Sequence, residues 1–408
     1  MKTVIARFPL AIFFVLWSGT LIVFTLVTAG GSFTPQVMPR VISWLDSVGP
    51  LATAAAALAA LLCAWAISDP VRRPARPALR AVIALAVAIA SVVLMVAQAL
   101  LLSRSFVGVL PPLSNPSKLA TAVLKSGDLP STAQQVRSVI TEPVTWLRAM
   151  PAGIVLSGLI SPSSAVRRIA GAVVAWRPRG VLLRGMLALL LGALPAAVAV
   201  IGIRNAATMG TGHFVYRGSL SYGAIHFLCQ LLLGVSLAFA WYGFVAERLR
   251  RWMPPLAIAL VIGLATSAPS LAVRQIVSFH VGFTESYSVS PVLLVAAGTG
   301  MAFVAVWLTQ TASASLLPAL LFLAAESAAA YVVSFWFSAS DTTWSWACVV
   351  LGGVVAVAGR MWRREPTDRN PAPVEVAAAI AQDYEVVVKD LGMPGDWPAG
   401  QVQGPDSP

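Results

Sequence analysis

The chain has 408 residues, of which 58% are apolar and 11% charged, and its formal net charge is +12. Mean hydropathy is +0.81 and the isoelectric point lies near 10.5. A soluble domain carries roughly 25% charged residues, so this composition excludes a water-facing globular surface, and with it the soluble nucleic-acid binder that so basic a chain would otherwise suggest.

The arginines fall in short clusters beside apolar runs, where they orient membrane spans and meet anionic lipid. Near the N-terminus, Lys2 and Arg7 precede an apolar run from Phe8 to Gly30. That run is too long for the apolar core of a signal peptide and reads as an uncleaved first span, about Leu10 to Ala29. A second span, Leu51 to Ile67, ends at Asp69-Pro70. It is followed by a cytoplasmic loop with Arg72, Arg73, Arg76 and Arg80 between prolines. The third span is Ala81 to Leu102.

From Ser103 to Met150 prolines, Ser, Asn and scattered charges appear. This segment reads as an external loop with two short helices, one near Lys118 to Lys125 and one starting at Ser131 as N-cap after Pro130. Val144 to Ile160 is apolar apart from Arg148 and is interrupted by Pro151. The next basic cluster (Arg167, Arg168, Arg177, Arg179, Arg184) belongs on the same side as the first. The chain therefore crosses again between Val144 and Ile160, with a re-entrant hairpin as the alternative. Leu182 to Ile203 leads out, with a kink at Pro195.

The middle of the chain is a helical hairpin. The uncharged run Phe227 to Phe244 ends in the charged knot Glu247-Arg248-Leu249-Arg250-Arg251 and the step Pro254-Pro255. A second apolar run, Leu256 to Leu264, closes in the polar patch Ala265-Thr266-Ser267-Ala268-Pro269. The knot cannot sit in hydrocarbon and marks a membrane face. After an external loop with His280 and Glu285, Val292 to Leu308 runs inward and Leu316 to Phe337 outward. Trp344 to Ala358 returns to Arg360, Arg363 and Arg364. Trp336, Trp344, Trp346 and Trp362 fall near span ends, as interfacial rings do. The expected fold is an all-α, polytopic transmembrane helix bundle of about ten spans in the cell membrane, both termini cytoplasmic. It divides into a three-span unit (1–103), an external loop (104–143), linker spans (144–220), a helical core (221–362) and a polar tail (363–408). The tail holds one amphipathic helix, Val374 to Leu391.

Cys63, Cys229 and Cys348 each lie inside an apolar run and read as buried small hydrophobes, with no disulfide framework or metal set. His213, His226 and His280 are the only histidines. With Glu285 they lack metal-ligand spacing, so neither a metal nor another cofactor is assigned. His226 and Gln230 share a helix face. Glu326 stands mid-span, where a carboxylate costs several kcal/mol unless something compensates it, so it faces the bundle interior. Glu326, Gln230, His226, Thr266 and Ser267 are the candidate binding residues. Arg248, Arg250 and Arg251 are candidates for lipid phosphate.

The layout from Tyr222 to about Tyr331 resembles the CPBP (CAAX protease and bacteriocin-processing) intramembrane metalloprotease family. In that family one span ends in Glu-Glu-x-x-x-Arg-Gly before a basic stretch, and the next ends in Phe-x-x-x-His. A later span carries His-x-x-x-Asn or -Asp after a polar turn. Here Trp241-Tyr242-Gly243-Phe244 with the basic knot looks like the first exit, and Trp307 to Leu321 looks like the later lead-in. The catalytic letters differ. Leu237 and Ala238 stand at the paired glutamates, Tyr242 at the arginine and Pro269 near the first histidine. Leu323 stands at the second histidine, with Glu326 or Ser327 at its partner position. Leu, Ala and Pro can neither activate water nor hold a metal. The resemblance therefore implies a scaffold that has lost catalysis and binds a membrane peptide, lipid or partner protein. Two other classes stay open: a small-molecule or lipid transporter with Glu326 as coupling carboxylate, and an active endopeptidase using Glu247, His280, Glu285 and Glu326.

Overall fold

A computed structural model describes residues 2–29, 38–67, 77–106, 132–141, 143–175, 181–208, 220–281, 290–311, 315–337 and 341–363. These residues form helices and short connections, with no strand among them. Met1–Arg364 is one compact unit. The segment Lys118 to Lys125, the N-cap Ser131, the tail helix 374–391, His213 and Glu285 lie outside the described residues.

The helices are α1 (Lys2–Arg7), α2 (Pro9–Ala29), α3 (Met38–Ile67), α4 (Pro77–Phe106), α5 (Thr132–Thr141), α6 (Pro143–Ser157), α7 (Ser164–Val174) and α8 (Val181–Thr208). They continue with α9 (Leu220–Leu237), α10 (Ala246–Leu249), α11 (Pro255–Val281), α12 (Pro291–Thr311), α13 (Leu317–Phe337) and α14 (Asp341–Ala358). Among the described residues, four stretches are long and apolar enough to cross a membrane: Pro77–Leu101, Leu182–Val200, Gly223–Leu249 and Val292–Thr311. Shorter apolar helices include Pro9–Val23, Leu51–Ile67, Thr145–Ile160, Pro255–Ser267, Leu317–Ala330 and Thr343–Ala358. Many large apolar side chains point outward, among them Leu182, Leu183, Leu190, Val292, Val350 and Val357. Such an apolar outer surface, with helices of this length, is compatible with an integral membrane protein.

Four boundaries differ from the sequence reading. The second span belongs to a helix that begins at Met38 rather than Leu51. The fourth is a helix through Ser157 that ends in a 3-10 turn, Gly158–Ile160. The eleventh helix continues past Pro269 to Val281. There Thr266 Oγ1 donates to the carbonyls of Ile262 (2.8 Å) and Gly263 (3.3 Å). Polar letters that resemble a loop thus serve their own helix. Finally, the basic segment after Ile160 folds as α7, an amphipathic helix. Ser163 accepts a hydrogen bond from the Val166 amide as its N-cap, and Val166, Ile169, Ala170 and Val173 form its buried face.

Between α9 and α10 the backbone widens into a π-helix, Ala238–Val245, whose eight residues are all buried. Two of its aromatic side chains pack on α2. Trp241 meets Phe13 and Trp17 of α2 edge-on, with ring centroids 5.3 and 5.2 Å apart, and Phe244 meets Phe13 at 5.8 Å. Gly243 lets α7 and the lead-in to α13 close on this segment, since a Cβ there would strike Ile169 and Leu316. The same lead-in closes α7, because the Leu316 amide donates to Ala172 O (2.8 Å) and Ser315 Oγ to Ala175 O (2.6 Å).

At the end of α14 the Met361 amide bonds to Ala356 O and the Arg360 amide to Val357 O. This is a Schellman closure. Its left-handed residue is Arg360, at φ 48°, where glycine would be unstrained. Arg360→Gly is therefore expected to raise stability by about 0.5–1 kcal/mol, read as a higher thermal midpoint of the purified protein.

Candidate functional site

Glu326 lies in the middle of α13, half-buried, on a helix packed against α8, α9 and α12. Gly192 of α8 makes the closest approach: a Cβ there would come 2.9 Å from the Glu326 amide nitrogen and 2.8 Å from Phe322 O. Tyr242 of the π segment and Cys348 of α14 lie within electrostatic range of the Glu326 carboxylate. Tyr242 is buried at 4% exposure and Cys348 at 0%. Glu326 has no ion pair among the described residues. An uncompensated carboxylate inside an apolar bundle is expensive, so this point demands a proton, a polar partner or a ligand. The surrounding helices add hydroxyls that nothing satisfies. Ser345, one turn before Cys348 on α14, and Ser236 on α9 are both buried with Oγ lacking a hydrogen-bond partner.

The other candidates separate into distinct clusters. His226, 5% exposed, lies between two amides: Gln98 Nε2 of α4 is 2.8 Å from its Nδ1, and Gln230 Nε2 is 3.4 Å from its Nε2. A neutral imidazole has one donor and one acceptor nitrogen, so one amide presents its oxygen instead. This ladder ties α9 to α4. Thr266 is engaged with its own helix, and Ser267 Oγ sits where a Cβ on Gly298 would be, at the crossing of α11 and α12. His280 lies on α11. Among the described residues no three of His, Cys, Asp and Glu are gathered as a metal-binding group.

The arginines also divide. Arg248 lies over the Phe244 ring, 4.7 Å from its centroid. Arg250 Nη2 donates to Thr309 Oγ1 at 2.9 Å. Arg251 is exposed. Beside them Arg168 of α7 pairs with Glu247 at 2.6 Å. Both side chains of that pair are over two-fifths exposed, so it adds little stability and chiefly fixes α7 against α10.

Tyr242 and Cys348 are the members of the Glu326 cluster that sequence reasoning did not single out. In sequence Cys348 is one more small apolar residue. Tyr242 appears only as the letter standing where the resemblance puts arginine.

No family model matches this chain, and no curated protein and no solved structure matches it.

Proposed function

We propose that this chain is a multi-pass protein of the cell membrane, with both termini cytoplasmic, and that its core keeps the layout of a CPBP intramembrane protease without the catalytic groups. The interior around Glu326 binds a membrane peptide, lipid or partner protein. The observation that carries this reading is the mid-helix Glu326 carboxylate, without an ion pair among the described residues, in electrostatic range of Cys348 and of Tyr242 on a π-helix. Single π turns inside α-helices are frequent at functional sites because they re-aim side chains.

The test uses the full chain in lipid nanodiscs and a fluorescent apolar peptide of about 20 residues as probe. Saturable binding without cleavage is expected. Glu326→Gln keeps hydrogen-bonding capacity and should bind as the parent does, whereas Glu326→Leu should weaken binding about fivefold, on the scale of one lost neutral hydrogen bond. Cleavage of the peptide, or equal binding by Glu326→Leu, contradicts the proposal.

The partial exposure of Glu326 within its span favours one second reading, a transporter in which this carboxylate carries the coupling proton. Glu326→Gln separates the two. It leaves binding intact in the first case and abolishes proton-coupled uptake in the second.

A further inference from the structure

The bundle carries a groove of about 600 Å³ between α11, α12 and α14, away from Glu326. Its floor is one face of α12, including Ala296, Gly300 and Phe303. Leu260 forms one wall, and Val349 and Gly353 form the other. From Val292 to Phe303 the floor runs about 16 Å at 1.5 Å per residue.

The groove's basic end is built by the loop after α14. Gly359 lies against the indole of Trp307, which continues the α12 floor one turn beyond Phe303. The Leu256 amide at the start of α11 donates to Met361 O at 2.9 Å, so both walls are joined at this loop. There Arg251, Arg360 and Arg363 are exposed, and Trp252 and Trp362 are 62% and 50% exposed. Arg360 stands about 10 Å along the chain axis from Gly353. It occupies a left-handed backbone position that glycine would hold without strain, and strain of this kind concentrates where a site uses it.

We propose that this groove and its arginine collar form a binding site for one anionic phospholipid. An acyl chain lies along α12 between Leu260 and Gly353, and the phosphate is held by Arg251, Arg360 and Arg363. The occupant follows from charge and depth. Apart from Thr299 the lining is apolar, the open side faces lipid, and the cations stand where a phosphate would reach them while its chain fills the groove. Exposed tryptophans at the same level match the headgroup layer. This places the phosphate contact on Arg251 and the α14 loop, because Arg248 and Arg250 are held by Phe244 and Thr309. The site is independent of the Glu326 reading.

The glycines supply a clean test. A Cβ on Gly353 meets nothing within 4 Å, so Gly353→Leu fills the groove without disturbing the bundle. The full chain, stripped of lipid in detergent, is titrated with phosphatidylglycerol or phosphatidylcholine of matched chains, and retained lipid is counted by native mass spectrometry. The wild type should retain one phosphatidylglycerol, in preference to phosphatidylcholine by about tenfold or more. Gly353→Leu should lose retention of both lipids at an unchanged thermal midpoint. Arg360→Gly should raise the midpoint yet weaken phosphatidylglycerol about fivefold, the worth of one arginine at a charged membrane surface. The triple change Arg251→Gln, Arg360→Gln and Arg363→Gln should bring phosphatidylglycerol to the phosphatidylcholine level. Wild-type retention by Gly353→Leu overturns the site, as does absence of headgroup preference in the wild type, or full displacement of the lipid by inorganic phosphate alone.

Discussion

Trp241→Ala is expected to cost about 3 kcal/mol of stability, among the largest single losses any substitution here should produce. Trp241 is 1% exposed and is the ring on which α2 docks, with Phe13, Phe14 and Trp17 all contacting it at centroid distances between 5.2 and 6.2 Å. Removing a buried tryptophan in a soluble core costs roughly 3–5 kcal/mol through lost transfer and the cavity left behind. Within a membrane the transfer part shrinks, because lipid is as apolar as the core. What remains is the cavity and the lost edge-to-face contacts, each worth about 0.5–1.5 kcal/mol. The expected loss therefore sits at the low end of that range. Thermal or denaturant unfolding in a fixed detergent checks it, and a loss under about 1 kcal/mol would mean that α2 does not rest on the π segment. Phe13→Ala combined with Trp241→Ala should cost less than the sum of the two, since both changes remove the same contact.

Two neighbouring glycines on α14 should behave oppositely. A Cβ on Gly352 would run into the Gly300 backbone of α12, and one on Gly300 into the Cys348 carbonyl. The two helices thus touch backbone to backbone, the approach that small residues permit in membranes. Overpacking usually costs 1–3 kcal/mol, and here the obstacle is main chain rather than a side chain that can rotate. Gly352→Leu should therefore cost about 3 kcal/mol or prevent folding. Gly353→Leu, one residue on and facing open space, should fall within about 0.5 kcal/mol of the parent, as ordinary surface changes do. Size-exclusion profiles and unfolding midpoints of the pair measure this directly. Equal behaviour of the two variants would contradict the crossing of α12 and α14.

The helical class was legible because runs such as Phe227 to Phe244 hold no charge, and a backbone in lipid must satisfy itself. Helix ends were less legible. Thr266, Ser267 and Pro269 resemble a loop, yet the threonine hydroxyl bonds the preceding turn and α11 runs on to Val281. The helix α7 was missed although its Ser163 cap and its apolar spacing were present, because Arg167 and Arg168 read first as loop charges that orient spans. The π-helix leaves no mark in composition, since Ala238 to Val245 would be equally apolar as α-helix. At the candidate site Glu326 stood out by its cost in the membrane. Tyr242 and Cys348 did not, because their relation to it exists only after the π segment, α13 and α14 assemble. His226 and Gln230 were correctly placed on one face, but their partner is Gln98 of α4.

The proposed proximity of Glu326 on α13 to Cys348 on α14 can be measured by cross-linking. Glu326→Cys is made in a chain where Cys63 and Cys229 are alanine and Cys348 is kept, with a protease site placed between α13 and α14. A short bifunctional thiol reagent should join positions 326 and 348 within one chain, so that the halves stay together after cleavage. Control cysteines on the lipid-facing side of α14, such as Val350→Cys, should leave them apart. Halves that separate for Glu326→Cys as readily as for that control would mean the carboxylate does not face Cys348, and the proposed binding interior would not exist.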